Sequence, residues 1–345
     1  MKIGLFMANQ GTWTMSHAAP QNQPDWFRMR QAALAAEHYG FDFAFASLNV
    51  RGFGGPLEVW EKTMEPMTLV AALAAATTRI KLYGTAAILL THPGMLARQI
   101  SAIDDISGGR FGLNLVSGWE KDAYGQMGLW PGDEHGENRY DRATEYVQIL
   151  RELLEEGYSN FKGEFYQIED YRFARTLGKR LEVICAGQSP RGMRFTAEQG
   201  DAQFVFGRKT VEEQKTLNQQ VEEAGEAAGR RIGVISQYFV VQRESRAEAE
   251  DTVQRWREQA EPEAMNALRG GAAPKAGAQS ITAELGGPDN VMFGIPTIVG
   301  DATGVAEQLN EFGAVDGTDG LLLNFQDELI DLERFGTGVM PLLRR

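Results

Sequence analysis

Asn114 and Thr85 are polar residues inside runs that are otherwise built for a core. Asn114 sits in Phe111-Gly112-Leu113-Asn114-Leu115-Val116, and Thr85 sits in Ile80–Ala86. A carboxamide in an apolar strand is costly to bury unless it is paired. Two readings follow: Asn114 faces a ligand, or it satisfies neighbouring backbone. Further polar groups stand at the ends of other apolar runs. Ser47 and Asn49 close the run that begins at Phe41, and Thr91 and His92 follow the run that holds Thr85. At a barrel mouth His92 would touch substrate. Gly187-Gln188-Ser189 leads from an apolar run into a helix, whose first N–H groups and dipole form an anion site. Arg139-Tyr140, near the start of an earlier helix, adds a charge-assisted donor and a phenol. An arginine by itself is most often a surface ion-pair residue.

Familiar catalytic patterns are missing. The chain has no GxGxxG after a strand, no GxxxxGK[ST], no HExxH and no GxSxG. Its four histidines lack metal-ligand spacing, and the lone Cys185 reads as a small buried apolar residue. A Rossmann dinucleotide enzyme and a zinc hydrolase are therefore not indicated.

The elements that must position these residues alternate. Strand-like runs are Ile3–Ala8, Phe41–Ser47, Ile80–Ala86, Phe111–Val116, Leu181–Ala186, Ala202–Phe206, Gly233–Gln242 and Gly320–Asn324. Helix-like runs are Asp25–Tyr39, Pro66–Ala76, Pro93–Ile106, Glu137–Glu156, Ser189–Gln199, Val211–Ala228, Ala247–Gln259 and Ala302–Phe312. Such alternation implies parallel strands joined by right-handed crossovers. Eight units favour closure into an α/β (β/α)8 TIM barrel, with an open doubly wound sheet as the other arrangement. One domain over residues 1–345 is expected. Two segments break the repeat. Phe161–Phe173 alternates as an inserted hairpin, and Glu261–Pro296 is a Gly-, Ala- and Pro-rich tract that predicts a long lid-like loop.

The net charge of −13 disfavours nucleic acid or an anionic membrane as partner. The opening MKIGLFMANQ reads as a first strand and not a signal peptide, and no apolar run is long enough to span a bilayer. A cytoplasmic protein is expected.

Taken together, these motifs resemble a known family. Leu73–Lys81 with Thr85-Ala86-Ala87, Ile103–Arg110 and Asn114–Trp119 are similar to the luciferase-like flavin-dependent monooxygenases, which include alkanesulfonate, dimethylsulfone and long-chain alkane monooxygenases. Within that family the pyrimidine monooxygenases of uracil degradation are most similar, through Glu37-His38-Tyr39, Arg51-Gly52-Phe53-Gly54-Gly55, Trp130-Pro131-Gly132-Asp133 and Ile184-Cys185-Ala186-Gly187-Gln188-Ser189. The resemblance is dense over the first 205 residues and loose beyond.

It implies a bacterial-luciferase-like barrel that uses reduced FMN and O2, with flavin contacts at Leu48, Asn49, Asn114, Arg139, Tyr140 and Ser189. Thr85 and Asn114 fall on the pair that holds O2. A glutamate contact of the pyrimidine enzymes falls on Ala123, so that side-chain role is lost. The resemblance further implies a flavin-peroxide acting on a small nitrogen heterocycle or cyclic amide such as uracil, a separate NADH-dependent flavin reductase, and a homo-oligomer. A planar substrate would stack on Trp119 and meet Thr91 and His92 at its polar edges. The chain departs from the pyrimidine enzymes at Ser47-Leu48-Asn49, Leu89–His92 and Arg175–Lys179, the first two near the expected mouth. A sulfone, sulfonate or other small organic substrate, a deazaflavin-dependent reductase and a non-catalytic flavin-binding barrel are the competing readings.

Overall fold

The computed structural model describes residues 1–271 and 291–345. Its strands in chain order are β1 (Lys2–Phe6), β2 (Phe43–Ala46), β3 (Lys81–Ala87), β4 (Phe111–Val116), β5 (Tyr158–Ser159), β6 (Tyr171–Arg172), β7 (Val183–Cys185), β8 (Ala202–Phe206), β9 (Gly233–Gln242), β10 (Thr297–Gly300) and β11 (Thr318–Asn324). The helices are α1 (Trp26–His38), α2 (Pro66–Ala76), α3 (Pro93–Ser107), α4 (Lys121–Gly125), α5 (His135–Arg151), α6 (Pro190–Gln199), α7 (Val211–Ala227), α8 (Arg246–Glu258), α9 (Pro262–Gly271), α10 (Ala302–Gly313) and α11 (Glu328–Gly338).

The main sheet runs β11-β1-β2-β3-β4-β7-β8-β9, all parallel, and closes because β9 also pairs with β11. This is the closed barrel that the alternation predicts, and the open sheet is set aside. β10, which the alternation of apolar runs does not predict, joins β9 at Phe239–Gln242 on the edge that β8 occupies lower down. β9 is ten residues long and buried throughout, so it has length to pair with both. The inserted hairpin is present, built from β5 and β6 with a further bridge between Lys162 and Gln167.

The long loop expected over Glu261–Pro296 needs correction in its described part. Its start is helix α9, opened by Glu261, whose carboxylate accepts the Glu263 N–H at 3.0 Å. Pro262 stands at the first helical position, where its missing N–H costs nothing, and Ala264 and Met265 bury one side. Residues 272–290 of that tract lie outside the described residues.

α2, α3 and α6 share one opening device, a capping side chain followed by proline. Glu65 accepts from Met67 and Thr68, His92 Nδ1 from Gly94 at 3.1 Å, and Ser189 Oγ from Gly192 at 3.1 Å. Gly108, at φ 64°, ends α3 in the left-handed conformation that glycine adopts without strain. Arg110 then ties three elements together by donating to the Ala74, Ile80 and Ser107 carbonyls at 2.7–2.9 Å. The Ser-Gly-Gly-Arg motif is thus a joint between α2, α3 and the strands they flank. Among the described residues no helix is long and apolar enough to cross a membrane.

Candidate active site

An apolar cleft of about 270 Å³ opens at the C-terminal ends of the barrel strands. That end is where barrel enzymes carry their chemistry. Phe6, Phe45 and Phe204, from β1, β2 and β8, meet at centroid distances of 5.0, 5.9 and 5.4 Å and form an aromatic floor. Trp13, Phe53, Trp60 and Phe293 build one wall, with Trp60 stacked on Phe293 at 4.1 Å.

Register brings Thr85 and Asn114 together: they are direct partners across β3 and β4. Both are buried, and Asn114 Nδ2 donates to Thr85 Oγ1 at 3.1 Å. The Thr85 hydroxyl donates in turn to the Ala46 carbonyl at 2.8 Å. Asn114 Oδ1 is buried with no partner. Both residues line the cleft, the position that the ligand-facing reading of Asn114 requires.

Leu48 and Asn49 also line it, on the loop after β2. That loop is fixed from below by Asn9, which donates to the Ser47 and Met64 carbonyls at 2.8 and 3.0 Å and accepts from the Ser47 N–H. Trp119 stands at the rim, 47% exposed. Ala123 lines the same side, and so does Glu120, one helical turn earlier. Burial raises the Glu120 carboxyl pKa; Arg51 opposes this and Asp122 adds to it.

Tyr140 reaches the Gly187–Gly192 segment that holds Ser189, next to Ala186 and Gln188 of the cleft lining, and Arg139 lies against Tyr140. The Tyr140 hydroxyl nests between the loop and the start of α6. A Cβ on Gly187 or Gly192 would come within 2.5 or 2.6 Å of it. Arg139 is buried with its guanidinium 4.9 Å from the Tyr140 ring centre.

Thr91 and His92 are not brought to this cleft. The His92 ring caps α3 while remaining exposed, and the Thr91 carbonyl accepts from the Tyr146 hydroxyl at 2.7 Å. Their strand-end position is real, but local hydrogen bonds hold them on the outer layer.

Several residues had no signal in a motif search. Gln10 and Trp13 come from the turn after β1 and line the cleft, each 3% exposed. His135 lies buried behind the β4 loop, with Nε2 facing the Ser117 and Gly118 carbonyls at 3.0 and 2.7 Å and Nδ1 unpartnered. Burial lowers its pKa, which keeps it a neutral donor to that loop. Cys185 is buried, as its apolar reading requires, and burial pushes its thiol up to about 12.

Comparison with known proteins agrees with this architecture. The family model described as Luciferase-like monooxygenase matches residues 1–318. The pyrimidine monooxygenase RutA of Acinetobacter baylyi is 42% identical over 352 residues, covering 99% of this chain and 95% of that one. The RutA of Enterobacter cloacae is 41% identical, covering 100% and 96%. Among solved structures, the riboflavin lyase RcaE superposes with a TM-score of 0.87 at 21% identity, covering 99% of this chain and 91% of its own. The long-chain alkane monooxygenase LadA superposes at 0.82 with 20% identity, covering 100% and 92%. The chain is a member of the luciferase-like monooxygenase family.

Proposed function

We propose that this enzyme uses reduced FMN and O2, supplied with electrons by a separate flavin reductase in the cytoplasm, to oxygenate a small nitrogen heterocycle or cyclic amide of the uracil kind. Identity of 42% over nearly the whole chain to enzymes named pyrimidine monooxygenase supports the substrate class. The observation that carries the chemistry is the buried Thr85–Asn114 pair in an otherwise aromatic cleft.

The residues present fit a flavin mononucleotide. Asn114 Oδ1 is an orphaned polar atom in the cleft wall. Gly187 and Gly192 leave room that a side chain would fill, and that room holds the Tyr140 hydroxyl beside the α6 N-terminus. Arg139, Tyr140, Ser189 and the first N–H groups of α6 form a donor set suited to one phosphate. Leu48, Asn49 and Asn114 then flank the ring.

Bound reduced FMN supplies two electrons to O2. Thr85 and Asn114 hold the oxygen and stabilise the charge that develops on it. The Thr85 hydroxyl turns from the Ala46 carbonyl, and the Asn114 carboxamide presents its N–H. The aromatic floor excludes water, which strengthens both donations. Trp119 at the rim offers a face on which a planar substrate stacks. A homo-oligomer completes the proposal.

The test is oxygen uptake and product mass from a panel of pyrimidines, other cyclic amides, sulfones and alkanes, with FMN reduced enzymatically. Pyrimidine-dependent oxygenation is the expected result. Turnover of sulfones or alkanes alone would remove the substrate assignment. Binding of a deazaflavin with no O2 consumption would remove the oxygenase assignment.

A further inference from the structure

We infer that Gln10 and Trp13 read an imide edge, a ring N–H flanked by two carbonyls, and so select the substrate; this rests on the heterocycle reading above. Two neighbouring sets of side chains make the contrast. In the segment that carries Gln10, the carboxamides of Asn9 and Gln21 on either side of it are fully engaged. Asn9 binds three backbone groups of the Ser47 and Met64 turns. Gln21 binds Thr12 Oγ1 and the carbonyls of Thr14, Ser16 and Ala19. Gln10 is buried, as Asn9 is, yet its Oε1 has no partner.

The two wall tryptophans divide the same way. They pack edge to face at 5.1 Å. Trp60 Nε1 donates to the Thr12 carbonyl at 3.0 Å, whereas Trp13 Nε1 is buried and donates to nothing. Buried donors and acceptors without partners are rare because each costs desolvation, so a pair of them in one cleft wall is open capacity for a ligand.

The chemistry of that capacity is specific. A glutamine carboxamide offers an acceptor beside a donor, and the indole adds a second donor. Acceptor flanked by donors complements an imide, which presents acceptor, donor, acceptor. Gln10 Oε1 takes the ring N–H, Gln10 Nε2 reaches one carbonyl, and Trp13 Nε1 reaches the other. The flat ring lies among Phe6, Trp13 and Trp60, which suits an unsaturated heterocycle and gives nothing to a sulfonate's charge. Glu328 accepts the Ala8 N–H at 2.8 Å and the Gly11 N–H closes onto the Ala8 carbonyl, which fixes the turn that presents Gln10.

The experiment compares uracil, 1-methyluracil and 3-methyluracil by equilibrium dialysis against the FMN-loaded full chain, and then by turnover. 1-Methyluracil keeps the imide and 3-methyluracil blocks it. The native protein should bind 3-methyluracil at least about tenfold more weakly than the other two, the discrimination that an unpaired buried polar site gives. Gln10→Leu should weaken uracil by a similar factor and leave 3-methyluracil and FMN binding where they were. Trp13→Phe should show the same pattern with a smaller loss. Equal binding of uracil and 3-methyluracil by the native protein overturns the inference without any variant. Undiminished uracil binding by Gln10→Leu overturns it too, and in both cases the pyrimidine reading survives. If the native protein binds none of the three, both readings fall together.

Discussion

The two ends of the barrel treat their carboxyl groups in opposite ways. At the N-terminal end, Glu182 accepts from Lys81 and from the Tyr83 hydroxyl. Burial would raise its pKa, but those two bonds outweigh it and hold the carboxylate below its usual range. Around it lie Arg180 and Arg230 on Asp201, Arg231 on Asp319, and Arg345 on Asp42. At the C-terminal end, Glu120 and Glu328 are both pushed up, with burial the main cause. That end also holds the unpartnered atoms of Gln10, Trp13, Ser47 and Asn114. One end satisfies its polar groups and contributes stability; the other leaves hydrogen-bonding capacity open where a ligand enters.

The largest expected effect breaks this contrast at its open end. Asn114→Leu removes the carboxamide with little change in volume, and Thr85→Val removes the hydroxyl. Each should lower oxygenation by about tenfold to a thousandfold, the range for one donor to developing oxygen charge. Thermal stability of Asn114→Leu should hold or rise, since an orphaned buried oxygen leaves with it, whereas Thr85→Val takes partners from the Ala46 carbonyl and the Asn114 carboxamide and should lower it. Stopped-flow and product yield at saturating FMN measure the first, calorimetry the second. Unchanged product yield in both variants would place the oxygen elsewhere.

Glu328 sharpens the comparison through pH. It is fully buried, accepts the Ala8 N–H, and has its pKa raised from 4.5 to about 8, by burial first. A carboxyl that stays protonated in the fold but ionises when unfolded stabilises below the unfolded value. That contribution fades as pH rises from about 4.5 toward 8, at up to about 1.4 kcal/mol per unit. Glu328→Gln keeps a neutral acceptor for Ala8 and removes the titration. Its stability relative to the native protein should therefore climb across that window in denaturant melts, and a flat difference would contradict the assignment. The closed end provides the counterpart. Glu182→Ala leaves the Lys81 ammonium and the Tyr83 hydroxyl without their acceptor and should cost about 2 kcal/mol. Turnover per folded molecule should stay within about twofold, since Glu182 lies at the opposite end of the barrel from the cleft.

Much of this was legible in the chain. Eight barrel strands are short apolar runs between amphipathic ones, and that signal survives without tertiary information. Thr85 and Asn114 were visible because each violates an apolar run. β10 and α9 were not, because the tract around them is Gly-, Ala- and Pro-rich and has no period of its own. His92 shares the strand-end position of the cleft residues, but its local chemistry is that of a helix cap. His92-Pro93 repeats the pattern of Glu65-Pro66 and Ser189-Pro190, a cap followed by proline in the first helical turn. Read that way, it is a helix start. Gln10 and Trp13 carry no motif at all; their interest lies in partners they lack, and only the packed structure counts partners.

The smallest effect concerns Glu120. In pyrimidine enzymes of this family the resemblance puts a glutamate contact at the position of Ala123, whose methyl group cannot replace it. Here a carboxyl sits one turn earlier, on the same cleft wall. Its environment differs from that of Glu182: among the described residues no lysine donates to it, and burial with Asp122 nearby raises its pKa against the pull of Arg51. It therefore holds its proton to higher pH than an ordinary carboxyl does. Protonated, it can donate to a bound anionic flavin; ionised, it repels one. FMN affinity should fall as pH rises through the raised pKa, by about twofold to fivefold for one partly screened charge. Glu120→Gln should flatten that dependence, while Asp122→Asn should only shift it slightly toward lower pH. Fluorescence titrations of FMN between pH 5 and 8 decide the matter. A native profile already flat, or a Gln variant that keeps the full slope, would show that this carboxyl stands too far from the flavin to take over the lost contact.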